Sequence, residues 1–242
     1  MTPRPPAKAR TRRAAAKFML ASGVLGLGLA GCDPRMALYF LQPSEPTIPP
    51  PAGSPKLKGK RVVLLTHAVT SARGDAPDVD QELGKELIAI LREKVKHIDI
   101  VDPAKVRTWV AANPSWSDPA EAAKAFEADF VIYMEVQAFQ IQSPASPGML
   151  EGLATVHVQV TELALPKDAK GRPIPDVAKV ATVGFDDICE SKFPTRGPIA
   201  VDASVGRPRF KKTFLKLVAT EVSWKFVDHA PGDDIQDSNF SK

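Results

Sequence analysis

Reactive side chains are few in this 242-residue chain: two cysteines, four histidines and one tight group of carboxylates. Asp186, Asp187 and Glu190 put three carboxylates within five positions, the oxygen-rich donor set that a hard divalent cation prefers. A metal-binding or enzymatic role for Asp186, Asp187 and Glu190 is therefore one reading, and a solvated strand end is the other. His67, His97, His157 and His229 share no metal-ligand spacing, and His157 falls on the polar side of an alternating segment. Cys189 has no histidine or basic cluster beside it, and a thiol needs such company to become a reactive thiolate. Glycine-rich phosphate loops and a Gly-x-Ser-x-Gly elbow are missing from residues 32 onward, so neither phosphate nor acyl chemistry is indicated. No catalytic residue, no metal ligand and no cofactor is assigned, and a non-catalytic role is expected.

The other cysteine, Cys32, closes the run Leu29-Ala30-Gly31-Cys32 after an apolar stretch from Phe18 to Ala30. Six basic residues (Arg4, Lys8, Arg10, Arg12, Arg13, Lys17) precede that stretch. A basic region, a short apolar region and small residues at the cut are the three parts of a secretory signal. Thirteen apolar residues are too few to span a bilayer, which takes about 20. The cut site resembles a bacterial lipobox, which implies removal of residues 1–31, lipidation of Cys32 and a periplasm-facing protein held on the cell membrane or the outer membrane. Arg12-Arg13 leaves the twin-arginine export route open beside the general one. Asp33 resembles an inner-membrane retention signal.

Removing the signal changes the electrostatics. The whole chain is at +4, but all six signal charges are basic, so the remainder carries 26 basic against 28 acidic residues, or −2. Nucleic-acid binding loses its main support, since it relies on a basic surface.

Four regions follow from patterning: the signal at 1–31, a lipidated cysteine with a Pro-rich tether at 32–59, a globular domain at 60–230 and a polar tail at 231–242. Seven prolines lie in residues 33–58, enough for an extended chain reaching roughly 80 Å at about 3.1 Å per residue. The apolar Met36-Ala37-Leu38-Tyr39-Phe40-Leu41 interrupts it and suits either the lipid headgroup region or packing onto the domain. Beyond it, Arg61 to Thr66 is a continuous apolar run, as in a strand covered on both faces. Asp78 and Gln81 have capping-box spacing ahead of the helical stripe Val79, Leu83, Leu87, Ile90, Leu91 and Val95. A short strand at Ile98 to Val101 precedes helices opened by Asp102-Pro103 and by Asp118-Pro119-Ala120-Glu121. Phe130 to Gln142 alternates but switches parity near Ala138, which predicts a bulge. Leu153 to Leu163 and Asp176 to Asp186 read as further strands, and Arg207 to Val227 as an amphipathic helix. The expected fold is α/β: a single mixed sheet in the order β-α-β-α-α-β-β-β-α, with helices packed on it.

Two loops, Ser143 to Leu150 and Asp187 to Pro208, are long enough to invite a contact role, and a small-molecule cleft under the first would suit a transport accessory. On the last helix, Leu215, Trp224 and Phe226 extend the apolar arc beyond what one core face requires, which makes them candidate partner-binding residues. The lipobox, the Pro-rich tether and Ala128-Asp129-Phe130-Val131-Ile132-Tyr133-Met134-Glu135-Val136 leading into a meander and final helix are similar to a group of uncharacterised planctomycete lipoproteins. More distantly, the element order over about 60–228 resembles the periplasmic domain of penicillin-binding-protein activator lipoproteins, curli-secretion lipoproteins and the N-terminal domain of the Tol-system β-propeller protein. That resemblance implies protein binding, either to an envelope partner or by self-association, alongside attachment to the membrane.

Overall fold

Strand β1 (Arg61–Ala68) sits where its sequence requires. Val62 and Leu64 turn to one core and Val63 and Leu65 to another, so the unbroken apolar run reflects burial on both faces. Residues 47–231 are described in the computed structural model, apart from 75, 147, 176 and 202–205. The signal, Cys32, the 36–41 segment and nearly all of the polar tail fall outside the described residues.

After β1 come a 3-10 turn (Thr70–Arg73), α1 (Val79–Lys94), β2 (Asp99–Ile100), α2 (Pro103–Ala112) and α3 (Pro119–Ala125). Then follow β3 (Phe130–Gln142), β4 (Met149–Ala164), β5 (Val180–Phe193), β6 (Ile199–Ala200) and α4 (Arg207–Ser223). One six-stranded mixed sheet has the order β2-β1-β3-β4-β5, with β6 also pairing β4. Parallel pairing joins β1 to β2 and β3, and the β3-β4-β5 meander is antiparallel. Helices α1 and α4 close the larger core, and α2 and α3 close the smaller one on the opposite face.

Local chemistry sets most of the boundaries. Asp118 accepts from Ala120 N–H at 2.8 Å while Glu121 reaches back to Asp118 N–H at 3.3 Å, the expected capping box. Asp102 caps α2 through Ala104 N–H at 2.8 Å. At α1 the expected box does not form: Asp78 has φ −105° and ψ 23°, and its side chain makes no capping bond. An extended cap residue is needed to aim the carboxylate back at the first turn. The predicted bulge is present, as a register shift between Val136 and Ala138 that keeps Val136, Phe139 and Ile141 in one core.

Strand β5 departs from expectation. It begins at Val180 instead of Asp176 and continues to Phe193, through residues read as the start of a loop. Phe185, Cys189, Ser191 and Phe193 are its buried positions. A cysteine and a serine on the inward face erase the apolar alternation that marks a strand.

Before β1, Leu57 is 2% exposed within the larger core, and Ile48 pairs with His229 through bonds of 2.7 and 3.1 Å. The last dozen residues of the Pro-rich stretch are thus laid against the domain.

Candidate interaction surface

Because successive strand residues point to opposite faces, the acidic group at the middle of β5 is split. Asp186 lies on the face away from α4, where His157 Nε2 is 2.7 Å from one carboxylate oxygen and Gln159 donates to the other at 3.2 Å. Those bonds, His157 first, hold its carboxyl below the usual range. Asp187 points the other way and pairs with Lys225 beyond α4, which lowers its pKa in turn. The anticipated cation site at Asp186, Asp187 and Glu190 is therefore not assembled, and among the described residues no group of three ligand-type side chains has metal-binding geometry. Cys189 is buried, and desolvation pushes its thiol up to about 11, so it stays protonated at neutral pH.

The face carrying Asp186 has helices over only part of its area. Helices α2 and α3 rest on Val63, Leu65, Val131 and Leu163. Beyond them, β3, β4 and β5 present aligned rows of side chains: Tyr133, Gln159 and Asp186; Glu135, His157 and Ile188; Ala138, Thr155 and Glu190. Tyr133 OH donates to Glu135 at 3.4 Å, and Gln137 donates to the other oxygen of Glu135 at 3.3 Å. Trp116 packs against Tyr133 and Trp109, with ring centroids 6.1 and 6.4 Å apart, and borders this face. On β5, Val183 is 54% and Ile188 52% exposed. β5 is also the terminal strand of the sheet, and among the described residues no other strand pairs with its outer side. Sequence reading missed Val183 and Ile188: Ile188, out of step with the odd-numbered buried set, was the available sign, whereas Val183 shares that parity and is turned to the other face by the register shift between Val160 and Thr161.

Of the three residues expected to face a partner, Leu215 lies on α4 and Trp224 and Phe226 follow its end at Ser223, and two of them are buried by the chain itself. Leu215 and Phe226 are 5% and 7% exposed and belong to the larger core. One turn before Leu215, Lys211 pairs with Glu82 of α1 at 2.6 Å, which places that flank of α4 against α1. Phe226 packs on Phe185 at 6.4 Å. Trp224 is half-buried and stacks on His229 at 4.5 Å, interplanar angle 14°. The 143–150 hairpin closes through Ser143 N–H to Met149 O at 3.1 Å, and Ser143 Oγ donates to buried Glu151 at 2.9 Å.

A cleft of about 730 Å³ runs on the far side of the sheet, between α1 and α2 and along the end of β1. It was not anticipated from sequence.

The architecture is that of a mixed α/β domain with a single open sheet and four helices against it. No family model and no curated protein matches the chain. Among solved structures it is similar to the PelC dodecamer from Paraburkholderia phytofirmans (14% identity, 75% of this chain and 96% of that one, TM-score 0.40). A lipoprotein from Neisseria meningitidis aligns at 9% identity over 67% and 97% of the two chains, TM-score 0.39. A minor lipoprotein from Acinetobacter baumannii aligns at 10% over 68% and 90%, TM-score 0.26. Two of these three are lipoproteins by description, and none identifies a family. Among the described residues, no helix is long and apolar enough to cross a membrane.

Proposed function

We propose that this chain is a bacterial envelope lipoprotein, anchored through Cys32, whose α/β domain binds another envelope protein or further copies of itself in a non-catalytic role. The observation that supports the binding role is β5: a long terminal strand whose outer side no other described strand pairs with, carrying two half-exposed aliphatic side chains, Val183 and Ile188, on the part of the face that α2 and α3 leave uncovered. An edge of this kind is a template for pairing with another chain unless something covers it. The polar groups on the same face are bonded to one another, His157 to Asp186 and Tyr133 to Glu135, which suits a contact surface better than a reaction centre. Anchoring rests on the Leu29-Ala30-Gly31-Cys32 run, and two acyl-type signals are what stable attachment requires.

The test is a photo-crosslinking residue at Ile188 in the lipidated chain, activated in intact cells, with the Cys32→Ser chain as control. A defined crosslinked protein or dimer, lost or weakened when Cys32→Ser leaves the membrane fraction, is the expected result. A Cys32→Ser chain that stays with membranes after high-salt washing defeats the anchoring half. An Ile188 probe that crosslinks only to lipid or to nothing defeats the binding half.

A further inference from the structure

Strand β2 pairs with β1 at two positions only, Arg61 with Asp99 and Val62 with Ile100. The reason is local: Asp102 and Pro103 cap and open α2, and proline at that position turns the chain out of the sheet. β1 itself continues to Ala68. Its main-chain polarity follows from the bonds that β2 does make. Asp99 N–H donates to Lys60 O at 2.9 Å and Val101 N–H to Val62 O at 3.0 Å. Even-numbered residues of β1 therefore direct N–H and C=O toward the β2 side. Leu64 and Thr66 come next, and among the described residues no strand pairs with them there. Ala68, the following even residue, has its carbonyl occupied by Arg73 Nε at 3.1 Å, and Arg73 is fixed by Asp80 at 3.1 Å.

The result is a slot with two defined ends, β2 at one and the Arg73 clamp at the other. Leu64 and Thr66 line the same cleft as Gly84 and Ile88 of α1 and Val106 and Val110 of α2. Charged groups at the cleft have both signs, and several are already engaged: Arg73 with Asp80, Glu82 with Lys211, Asp102 with Ala104 N–H. No field of one sign is left to select an ion. Two donors and two acceptors on a strand edge, between apolar walls, are what an extended peptide recognises when it adds to a sheet. We infer that the cleft between α1 and α2 binds an extended, apolar-rich peptide segment of another protein, which pairs with Leu64 and Thr66 of β1 in the line that β2 leaves vacant. This site is on the opposite side of the sheet order from β5, and the inference does not rest on the role proposed for that strand.

A phage-displayed random heptapeptide library panned on the full lipidated chain in detergent supplies the probe. Enriched peptides are expected to alternate apolar residues, to lose at least tenfold in affinity when alternate backbone amides are N-methylated, and to slow hydrogen exchange at Leu64 and Thr66. Ala111→Trp, at an exposed position lining the cleft, is expected to abolish binding while the thermal midpoint stays put. Lys85→Trp, exposed on the facing wall, repeats the block should the first variant lose its fold. Failure to enrich any peptide, indifference to N-methylation, or protection confined to β5 amides would each overturn the inference.

Discussion

The ring of Phe214 fills the space that a side chain at Gly152 would take: a Cβ built there lies 2.6 Å from Phe214 Cγ. Helix α4 thus approaches β4 as closely as a strand position without a side chain allows, and Phe214 is fully buried and sits 5.3 Å from Phe139 and 6.4 Å from Phe210, centroid to centroid. Gly152→Ala is expected to destabilise the domain by about 1–3 kcal/mol, the usual cost of overpacking. Phe214→Ala removes the obstacle but opens a cavity, at about 3–5 kcal/mol. In a denaturant double-mutant cycle the pair should be strongly coupled, with Gly152→Ala far less costly in the Phe214→Ala background. Additive effects would show that the two residues do not meet.

Leu215 supplies a second stability test. Buried beside α1, it should cost about 2–5 kcal/mol on truncation to Ala, which a urea midpoint shift reports. A change below about 0.5 kcal/mol, the range of surface substitutions, would return Leu215 to the partner-facing role expected from sequence.

Acid sensitivity follows from the carboxylates. Asp186 is lowered by its bond to His157, Asp187 by Lys225, Glu151 by Ser143 and Asp168 by the Arg172 main chain. A carboxyl depressed in the fold leaves the unfolded chain binding more protons near pH 4, so stability is present above the unfolded pKa and is lost as pH falls through the folded one. Melting temperature should therefore fall on acidification below about pH 4. His157→Ala should move the carboxyl titration of Asp186, followed by carbon NMR, upward toward the ordinary aspartate range. An unmoved titration would mean that the contact is not what holds it down.

Cys189 should resist alkylation in the native protein at pH 7 and react fully in urea, because burial both shields the thiol and raises its pKa to about 11. Mass spectrometry after brief iodoacetamide treatment distinguishes the cases. Rapid native labelling would contradict the position of Cys189 on the inward face of β5.

Elements that carry their own chemical signs were legible in advance. Asp118 with Glu121 announced α3, Asp102 with Pro103 announced α2, and the parity change at Ala138 announced the bulge in β3. What stayed hidden depends on partners distant in the chain. Ser191 reads as a loop residue until its hydroxyl meets Glu221, 30 positions on. Asp186 and Asp187 look like one ligand set until the strand separates them. Leu215 and Phe226 look superfluous for one sheet contact because α4 meets α1 and Phe185 as well. The cleft beside β1 arises from the early end of β2, and where a strand stops matters there more than any residue in it.

The bond pair between Ile48 and His229 sets the length of the leash. With Cys32 anchored as proposed, only the 14 residues from 33 to 46 are left to span the gap, a reach of about 45 Å instead of roughly 80 Å at about 3.1 Å per residue. The volume that the domain can search shrinks with the cube of that reach, so its effective concentration toward anything fixed in the same membrane rises about sixfold. Docking the Pro-rich segment thereby acts as a gain control on encounter, without a single new contact to the partner.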